Sequence, residues 1–106
     1  ILNEGRKFNT GDAGEIDILC QNKSGNYVVI ETKRYKESDK VIGQILRYMG
    51  WVIKNKTGGN KDLVKGIIIQ QVPHKYLDYA LIPCNNVDIK YFDISVKISD
   101  EPKIDI

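Results

Sequence analysis

Residues 15–33 contain two short segments with the pattern of β-strands, and this pair places the strongest constraint on the fold. Apolar and polar residues alternate over residues 15–21, and residues 27–33 are rich in β-branched and aromatic side chains. The five residues between them, Asn-Lys-Ser-Gly-Asn at 22–26, are typical turn formers. We therefore predict a β-hairpin in which the two residues that border the turn pair with each other.

The register of this hairpin brings acidic side chains together. Asp17 is expected to lie directly opposite Glu31, and Glu15 opposite Lys33, all on one face. Two carboxylates that face each other repel, and Asp is depleted in sheets, so the pair requires a cation. Mg²⁺ and Mn²⁺ prefer carboxylate oxygens together with a substrate phosphate, and Lys33 could orient or deprotonate an attacking water. The alternative is a surface cluster in which Lys33 only neutralises Glu31 and Glu15.

Residues 41–56 carry apolar side chains at spacings of three and four, the pattern of an amphipathic helix. Ser38 or Asp39 can cap its start, and the glycine-rich run at 57–60 ends it. The side chains expected to face the core are Ile42, Ile45, Leu46, Met49, Val52 and Ile53. The side chains expected on the opposite, polar face are Gln44, Arg47, Tyr48, Trp51 and Asn55.

The rest of the chain continues as strand, helix and strand. Residues 64–71 indicate a largely buried strand, residues 73–82 a short helix, and residues 87–98 a last strand with a bulge near Tyr91 and Phe92. The helix is expected to bury Tyr76, Leu77 and Ala80. A further short strand can precede Gly14. This order of elements predicts the α/β class, with a central mixed β-sheet flanked by helices, in a single domain of 106 residues.

The charge is unevenly distributed along the chain. The net charge is only +2, but residues 33–65 contain nine Lys and Arg against three Asp and Glu. A basic middle segment beside a carboxylate pair is the arrangement expected of a phosphate-binding surface, although a solvated helix face would have the same composition.

Several classes of protein are excluded or disfavoured. No apolar run approaches the roughly 18 residues that span a bilayer, and the N-terminus lacks the regions of a signal peptide. Cys20 and Cys84 have no CxxC spacing, and His74 is the only histidine, so a zinc site is not expected. Both cysteines have apolar neighbours, and we predict an intracellular, cytoplasmic protein with buried free thiols and no membrane contact.

Three segments of the sequence resemble the PD-(D/E)xK nuclease superfamily, and in particular the nuclease domain of the NucS/EndoMS-type endonucleases (the DUF91 group). They are Gly14-Glu15-Ile16-Asp17-Ile18-Leu19, then Val28-Val29-Ile30-Glu31-Thr32-Lys33-Arg34, and then Gly43-Gln44-Ile45-Leu46-Arg47-Tyr48. An ExK sequence alone is weak, but an Asp fourteen residues before the Glu and a QxxxY helix after it make the combination specific. The likeness extends over residues 10–98.

The resemblance implies a restriction-endonuclease-like sandwich and a set of functional residues. Asp17 and Glu31 match the metal ligands of the superfamily, Lys33 its catalytic lysine, and the main-chain carbonyl of Thr32 its third protein ligand. Gln44 is expected to support catalysis. Residues expected to contact DNA are Arg34, Lys36, Arg47 and Tyr48, with Lys40 as a further phosphate contact; for Tyr48, packing on the sheet is the alternative. Glu15 is either a water-mediated ligand or a charge partner of Lys33.

The function implied is a Mg²⁺-dependent DNA endonuclease, with Mn²⁺ able to substitute, acting in DNA repair or restriction. The rival function is a non-catalytic nucleic-acid-binding or assembly module that retains the nuclease fold. NucS-type proteins resemble a two-part design with a DNA-binding and dimerisation domain ahead of the nuclease. The chain is therefore expected to be a fragment of a larger protein with an additional domain, and a homodimer would allow both DNA strands to be cut.

Overall fold

A computed structural model describes residues 7–33, 39–71 and 75–92, which form six strands and two α-helices. In chain order these are β1 (Phe8–Asn9), β2 (Glu15–Ile16), β3 (Ile18–Gln21), β4 (Tyr27–Lys33), α1 (Lys40–Lys56), β5 (Val64–Gln70), α2 (Lys75–Leu81) and β6 (Val87–Tyr91). A short 3₁₀ helix, Lys61–Leu63, precedes β5. The predicted α/β class is confirmed. Neither described helix has the length and hydropathy needed to cross a membrane.

The central sheet has four strands in the order β3-β4-β5-β6. β3 and β4 are antiparallel, and Leu19 faces Val29 in the predicted register. The turn between them is held by the side chain of Asn22, which accepts hydrogen bonds from the N–H groups of Ser24 and Asn26. β5 and β6 run parallel to β4, so the sheet is mixed.

The first predicted strand is broken at Asp17. Glu15 and Ile16 leave the central sheet and pair with β1 in a separate two-stranded sheet, and Asp17 lies in the bend between β2 and β3. The predicted pairing of Glu15 with Lys33 is therefore wrong, because Glu15 pairs with Asn9. The bend has a packing cause: residues 16 and 19 would point to opposite faces of one continuous strand, yet both are fully buried.

Both helices cover one face of the central sheet. α1 connects β4 to β5 and α2 connects β5 to β6, and two right-handed crossovers in the same direction place their helices on the same side. α1 and α2 contact each other accordingly. The side chains of α1 pack closely over Gly66, where a Cβ atom would lie 2.6 Å from the sulfur of Met49 and would displace it. The core lies between this face and the helices.

The buried face of α1 differs from the predicted one. Val41 and Tyr48 join the core, whereas Leu46 is 43% exposed. The prediction that Tyr48 faces away from the core was wrong, since only 4% of its surface is exposed. Its contact with DNA stays a prediction. The buried face of α1 is rotated from the predicted one because α1 packs on the two-stranded sheet of β1 and β2 as well as on the central sheet. Phe8 of β1 contacts Trp51 of α1, with ring centroids 5.9 Å apart.

The described part of the second half follows the prediction closely. In α2, Leu77 is fully buried as predicted, but Tyr76 is exposed and the prediction that it faces inwards was wrong. β6 confirms the last strand as far as Tyr91, and the predicted bulge and continuation to residue 98 extend outside the described residues. Cys20 and Cys84 are free thiols, as predicted, but both are half-buried and not fully buried as expected.

Candidate active site

Asp17 is held by the backbone and side chain of Thr32. Its Oδ2 atom accepts hydrogen bonds from the Thr32 N–H and the Thr32 hydroxyl, each at 3.0 Å, and the ammonium of Lys7 lies 3.9 Å from Oδ1. Burial raises the pKa of the Asp17 carboxyl, but hydrogen bonds from Glu31 and Thr32 and the charge of Lys7 outweigh it and lower the pKa below its usual value. Asp17 is therefore the carboxylate that carries the negative charge.

Glu31 is the buried member of the pair. It points from β4 towards α1 and is only 1% exposed, and no described residue forms a hydrogen bond with its Oε2 atom. Burial raises the pKa of Glu31 to about 8, reinforced by its hydrogen bond to Asp17 and by the negative charge of Asp17. Lys33 and Lys7 oppose this shift only weakly. At neutral pH the raised pKa favours the protonated form of Glu31, which donates a hydrogen bond to the Asp17 carboxylate.

Lys33 shares the face of Glu31 because the two residues are separated by one position on β4. Its ammonium lies 4.0 Å from Glu31 Oε2, and a quarter of its side chain is exposed. Lys33 is therefore within reach both of the carboxyl pair and of a molecule arriving from solvent. The predicted cluster of Asp17, Glu31 and Lys33 is thus assembled, although Asp17 reaches it from a bend and not from a strand.

The oxygen atoms of this cluster suit a hard divalent cation. Two carboxylates converge, and one of them has a buried oxygen that forms no hydrogen bond with any described residue. The raised pKa of Glu31 favours a proton between the two carboxylates, and a cation could replace that proton. Within residues 7–33, 39–71 and 75–92, no group of three or more His, Cys, Asp or Glu side chains could hold a metal ion. A cation here would therefore take two protein carboxylates and complete its shell with main-chain oxygen, water or substrate.

The middle of α1 fastens the loop that leads to Asp17. Arg47 Nε donates a hydrogen bond to the carbonyl of Ala13 at 3.0 Å, and its guanidinium lies 5.2 Å from the ring centre of Tyr48. The amide of Gln44 donates to the Tyr48 hydroxyl at 3.2 Å. Gly14 has φ +101° and passes so close to Tyr48 that a Cβ atom there would lie 3.2 Å from the hydroxyl oxygen. Gln44, Arg47 and Tyr48 thus position the approach to the site.

Gln70 is a residue whose side the sequence pattern could not assign. It is fully buried at the end of β5, directly beside Lys33 in the parallel register, and so on the same face as Glu31. Its neighbours Ile67–Ile69 are all apolar, so alternation gives no signal there. Gln70 is recognised as part of the site by its side-chain amide, which is fully buried on the face of the sheet that carries Glu31.

The other predicted residues divide into two groups. Arg34 and Lys36 lie outside the described residues, as does His74. Arg47 is exposed, whereas Tyr48 is buried beneath it. Thr32 contacts Asp17 through its N–H and hydroxyl, and its carbonyl as a metal ligand stays a prediction.

Residues 5–95 match the family described as the endonuclease NucS C-terminal domain. The chain belongs to this family. Endonuclease NucS of Sulfolobus acidocaldarius is 30% identical over 87 residues, which are 82% of this chain and 32% of that protein. The chain therefore spans about a third of the length of that curated relative.

Two solved structures share the fold. One is a crystal structure of a repair endonuclease from Pyrococcus abyssi, with a TM-score of 0.62 and 24% identity over 76% of this chain and 33% of that one. The other is a complex of EndoMS with double-stranded DNA, with a TM-score of 0.62 and 22% identity over 78% of this chain and 32% of that one. The four-stranded mixed sheet and its helices therefore correspond to the fold of part of these proteins.

Proposed function

We propose that this chain is a metal-dependent endonuclease domain that hydrolyses phosphodiester bonds of DNA, with Mg²⁺ as its cofactor and Mn²⁺ as a substitute. The observation that carries the proposal is the convergence of Asp17 and the buried Glu31 beside Lys33. Membership of the NucS C-terminal domain family supports it, and so do the names of the relatives, which are a repair endonuclease and a DNA complex.

Asp17 and Glu31 would hold the metal ion, with the carbonyl of Thr32 as a third protein ligand. The bound ion would supply positive charge to the scissile phosphate and lower the pKa of water. Asp17 is kept in place by the two hydrogen bonds from Thr32, and its lowered pKa keeps it charged. Glu31 must lose its proton before it can act as a ligand, and a neighbouring cation favours that loss.

Lys33 acts at the solvent side of the carboxyl pair. Its ammonium can orient the attacking water or balance the charge that develops on the phosphate, because it is anchored near Glu31 yet partly exposed. Gln44 supports the site through Tyr48, which packs against the loop before Asp17.

The DNA backbone would lie against the basic segment that begins at Lys33. Arg47 offers an exposed guanidinium, and Arg34, Lys36 and Lys40 belong to the same segment. Tyr48 would support this surface indirectly, because its buried ring packs against the guanidinium of Arg47.

The wider setting that we propose follows from the same resemblance. The domain would be a restriction-endonuclease-like sandwich of the PD-(D/E)xK type, within a larger cytoplasmic protein that carries an additional domain and acts as a homodimer in DNA repair or restriction. Two copies of the site would allow cleavage of both strands.

The proposal is tested by cleavage of plasmid DNA with Mg²⁺ or Mn²⁺, together with calorimetric measurement of Mn²⁺ binding. Asp17→Asn and Glu31→Gln should lose metal binding and lower the cleavage rate by roughly 100-fold or more. Lys33→Met should retain metal binding and lose cleavage, which separates its role from that of the ligands. Lys23→Met, in the exposed hairpin turn, is the matched control and should change neither.

Two results would count against the proposal. Cleavage by the complete parent protein that is unchanged in Asp17→Asn would contradict the assigned site. Binding of DNA without any binding of Mn²⁺ would favour the rival function, a nucleic-acid-binding module that keeps the fold.

A further inference from the structure

The solvent-facing side of α1 carries a row of residues in which cations alternate with glycines. The members of this row follow one another at spacings of three and four, so they lie along a single side of the helix. All of them are exposed. They are Lys40, Gly43, Arg47, Gly50 and Lys54, and we call this set the outer stripe of α1.

The charge of α1 has one sign only. The helix contains four Lys and Arg residues and no Asp or Glu. Three of these cations belong to the outer stripe and are seven residues apart, which is about 10.5 Å along the helix axis. Lys40 lies in the first turn, where the helix dipole disfavours a positive charge, so the stability of the helix does not account for it. A row of cations of this kind is complementary to a row of phosphates.

The two glycines of the outer stripe are a second, independent feature. Glycine inside a helix is less favourable than alanine, because it loses more conformational freedom on folding. Alanine would fit at Gly43 and at Gly50. Apart from the backbone of α1 and the chain neighbours, no atom of residues 7–33, 39–71 and 75–92 lies within 4 Å of an added Cβ. Packing in the described part of the chain does not require these glycines, but close approach of an external backbone would.

We propose that the outer stripe of α1 binds the sugar–phosphate backbone of a nucleic acid, with phosphates beside its three cations and close contact at its two glycines. The inference takes its ligand from the proposed nuclease function and extends the contact beyond the carboxyl pair. α1 follows β4 and begins at the end of the sheet that carries Lys33, so the stripe leads away from the candidate active site. From Lys40 to Lys54 it is about 21 Å long, the axial length of about six nucleotides of one strand.

A nucleic acid fits the outer stripe better than an acidic protein surface does. Carboxylates of a protein are carried on side chains, which can reach a cation while the two backbones stay apart. Phosphates are part of the nucleic-acid backbone itself, so that backbone must come close to the helix for the cations to bind it. Open glycine positions between the cations suit this kind of partner.

Fluorescence anisotropy of a short labelled DNA duplex, measured in EDTA, tests the stripe without metal or cleavage. Gly50→Ala should weaken binding by roughly fivefold, because a methyl group holds the backbone away from the helix. The same change should raise the midpoint of thermal unfolding by a few degrees, because alanine favours the helix. Gly43→Ala should behave in the same way. Asn55→Ala, an exposed position of α1 outside the stripe, is the matched control and should leave the affinity unchanged.

Lys54→Ala tests the charge of the stripe. Loss of one phosphate contact should weaken binding several-fold at low salt and should reduce the slope of log affinity against log salt concentration by about 0.9. Lys65→Ala is the matched control. It removes the same charge from an exposed position on the opposite face of the sheet, since the next residue, Gly66, faces α1.

Several outcomes would overturn the proposal. One is duplex affinity that is unchanged in both Gly50→Ala and Lys54→Ala, or that falls equally in the controls. A lower unfolding midpoint in Gly50→Ala would show that the fold itself requires the glycine. Competition by poly-glutamate that is as effective as competition by unlabelled DNA would assign the stripe to an acidic protein. None of these results bears on cleavage, and a chain that binds DNA through the stripe without cleaving it would refute only the nuclease function.

Discussion

The two ends of the β3–β4 hairpin are built on opposite principles. At the turn end, Leu19 and Val29 face each other, both fully buried, and the antiparallel ladder is regular. At the other end the chain bends at Asp17, and Glu31 is buried as deeply as Val29, with no hydrogen bond to its Oε2 atom from the residues that the structure describes. The turn end stabilises the fold. The end that carries Asp17 and Glu31 holds two carboxylates together at a cost in stability.

Removal of Leu19 should have the largest effect on stability. Leu19→Ala leaves a cavity under α1 and should lower the free energy of unfolding by about 2–5 kcal/mol, as measured by urea denaturation. The affinity of the folded molecules for Mn²⁺ should be unchanged, since the carboxyl pair is not touched. A variant that stayed folded and lost metal binding would contradict this division between the two ends.

Addition of metal should raise stability only through the end of the hairpin that carries Asp17 and Glu31. Mn²⁺ at one hundred times its dissociation constant should raise the free energy of unfolding by about 2.7 kcal/mol, because it binds the folded state. The same increment is expected in Leu19→Ala and none in Glu31→Gln. Equal stabilisation of all three proteins would place the metal elsewhere.

Raising the pH should destabilise the metal-free protein through Glu31. Its folded-state pKa of about 8 exceeds the ordinary value of 4.5, so the folded state binds more protons between these values, and stability falls as the pH rises through them. The slope can reach about 1.4 kcal/mol per pH unit for one proton. Asp17 acts in the opposite sense: its lowered pKa adds stability above the ordinary carboxyl value, and this is lost in acid.

Unfolding curves of the metal-free protein at several pH values check this expectation. Glu31→Gln should show a much flatter profile and should be the more stable protein at pH 8. The affinity for Mn²⁺ should rise over the same pH range, because Glu31 must release its proton. A wild-type profile as flat as that of Glu31→Gln would show that Glu31 is charged in the metal-free state.

Loss of the Arg47 side chain should have the smallest effect. Arg47→Ala removes the hydrogen bond to the carbonyl of Ala13 and should cost about 1 kcal/mol of stability. A several-fold weaker affinity for Mn²⁺ is expected as well, since the loop before Asp17 is less firmly held. Lys54→Ala, an exposed change near the end of α1, is the control, and an equal effect on metal affinity would argue against a positioning role for Arg47.

The parts of the fold governed by local pattern could be predicted from the sequence. The turn formers at 22–26 and the alternation around them are sufficient for the register that pairs Leu19 with Val29. Strand periodicity also places Glu31 and Lys33 on one face of β4, whereas Asp17 reaches them from the bend through its hydrogen bonds with Thr32.

The remaining features depend on contacts between distant segments. The bend at Asp17 arises because Ile16 and Leu19 are both required in the core, and alternation cannot encode that requirement. The burial of Tyr48 depends on Gly14, 34 residues earlier, which offers it a surface without a side chain. Gln70 was ambiguous because a run of isoleucines precedes it and both faces of β5 are apolar.

The short turn of the hairpin also bears on the order in which the molecule folds. Asp17 and Glu31 are brought together by closing a loop of five residues, whereas pairing of β4 with β5 must wait for the chain to close over the whole of α1. Closing the shorter loop loses less entropy, and local contacts form sooner. The two carboxylates therefore meet while still surrounded by water, and the arrival of the helix, which removes that water from Glu31, is the step at which Glu31 takes up its proton.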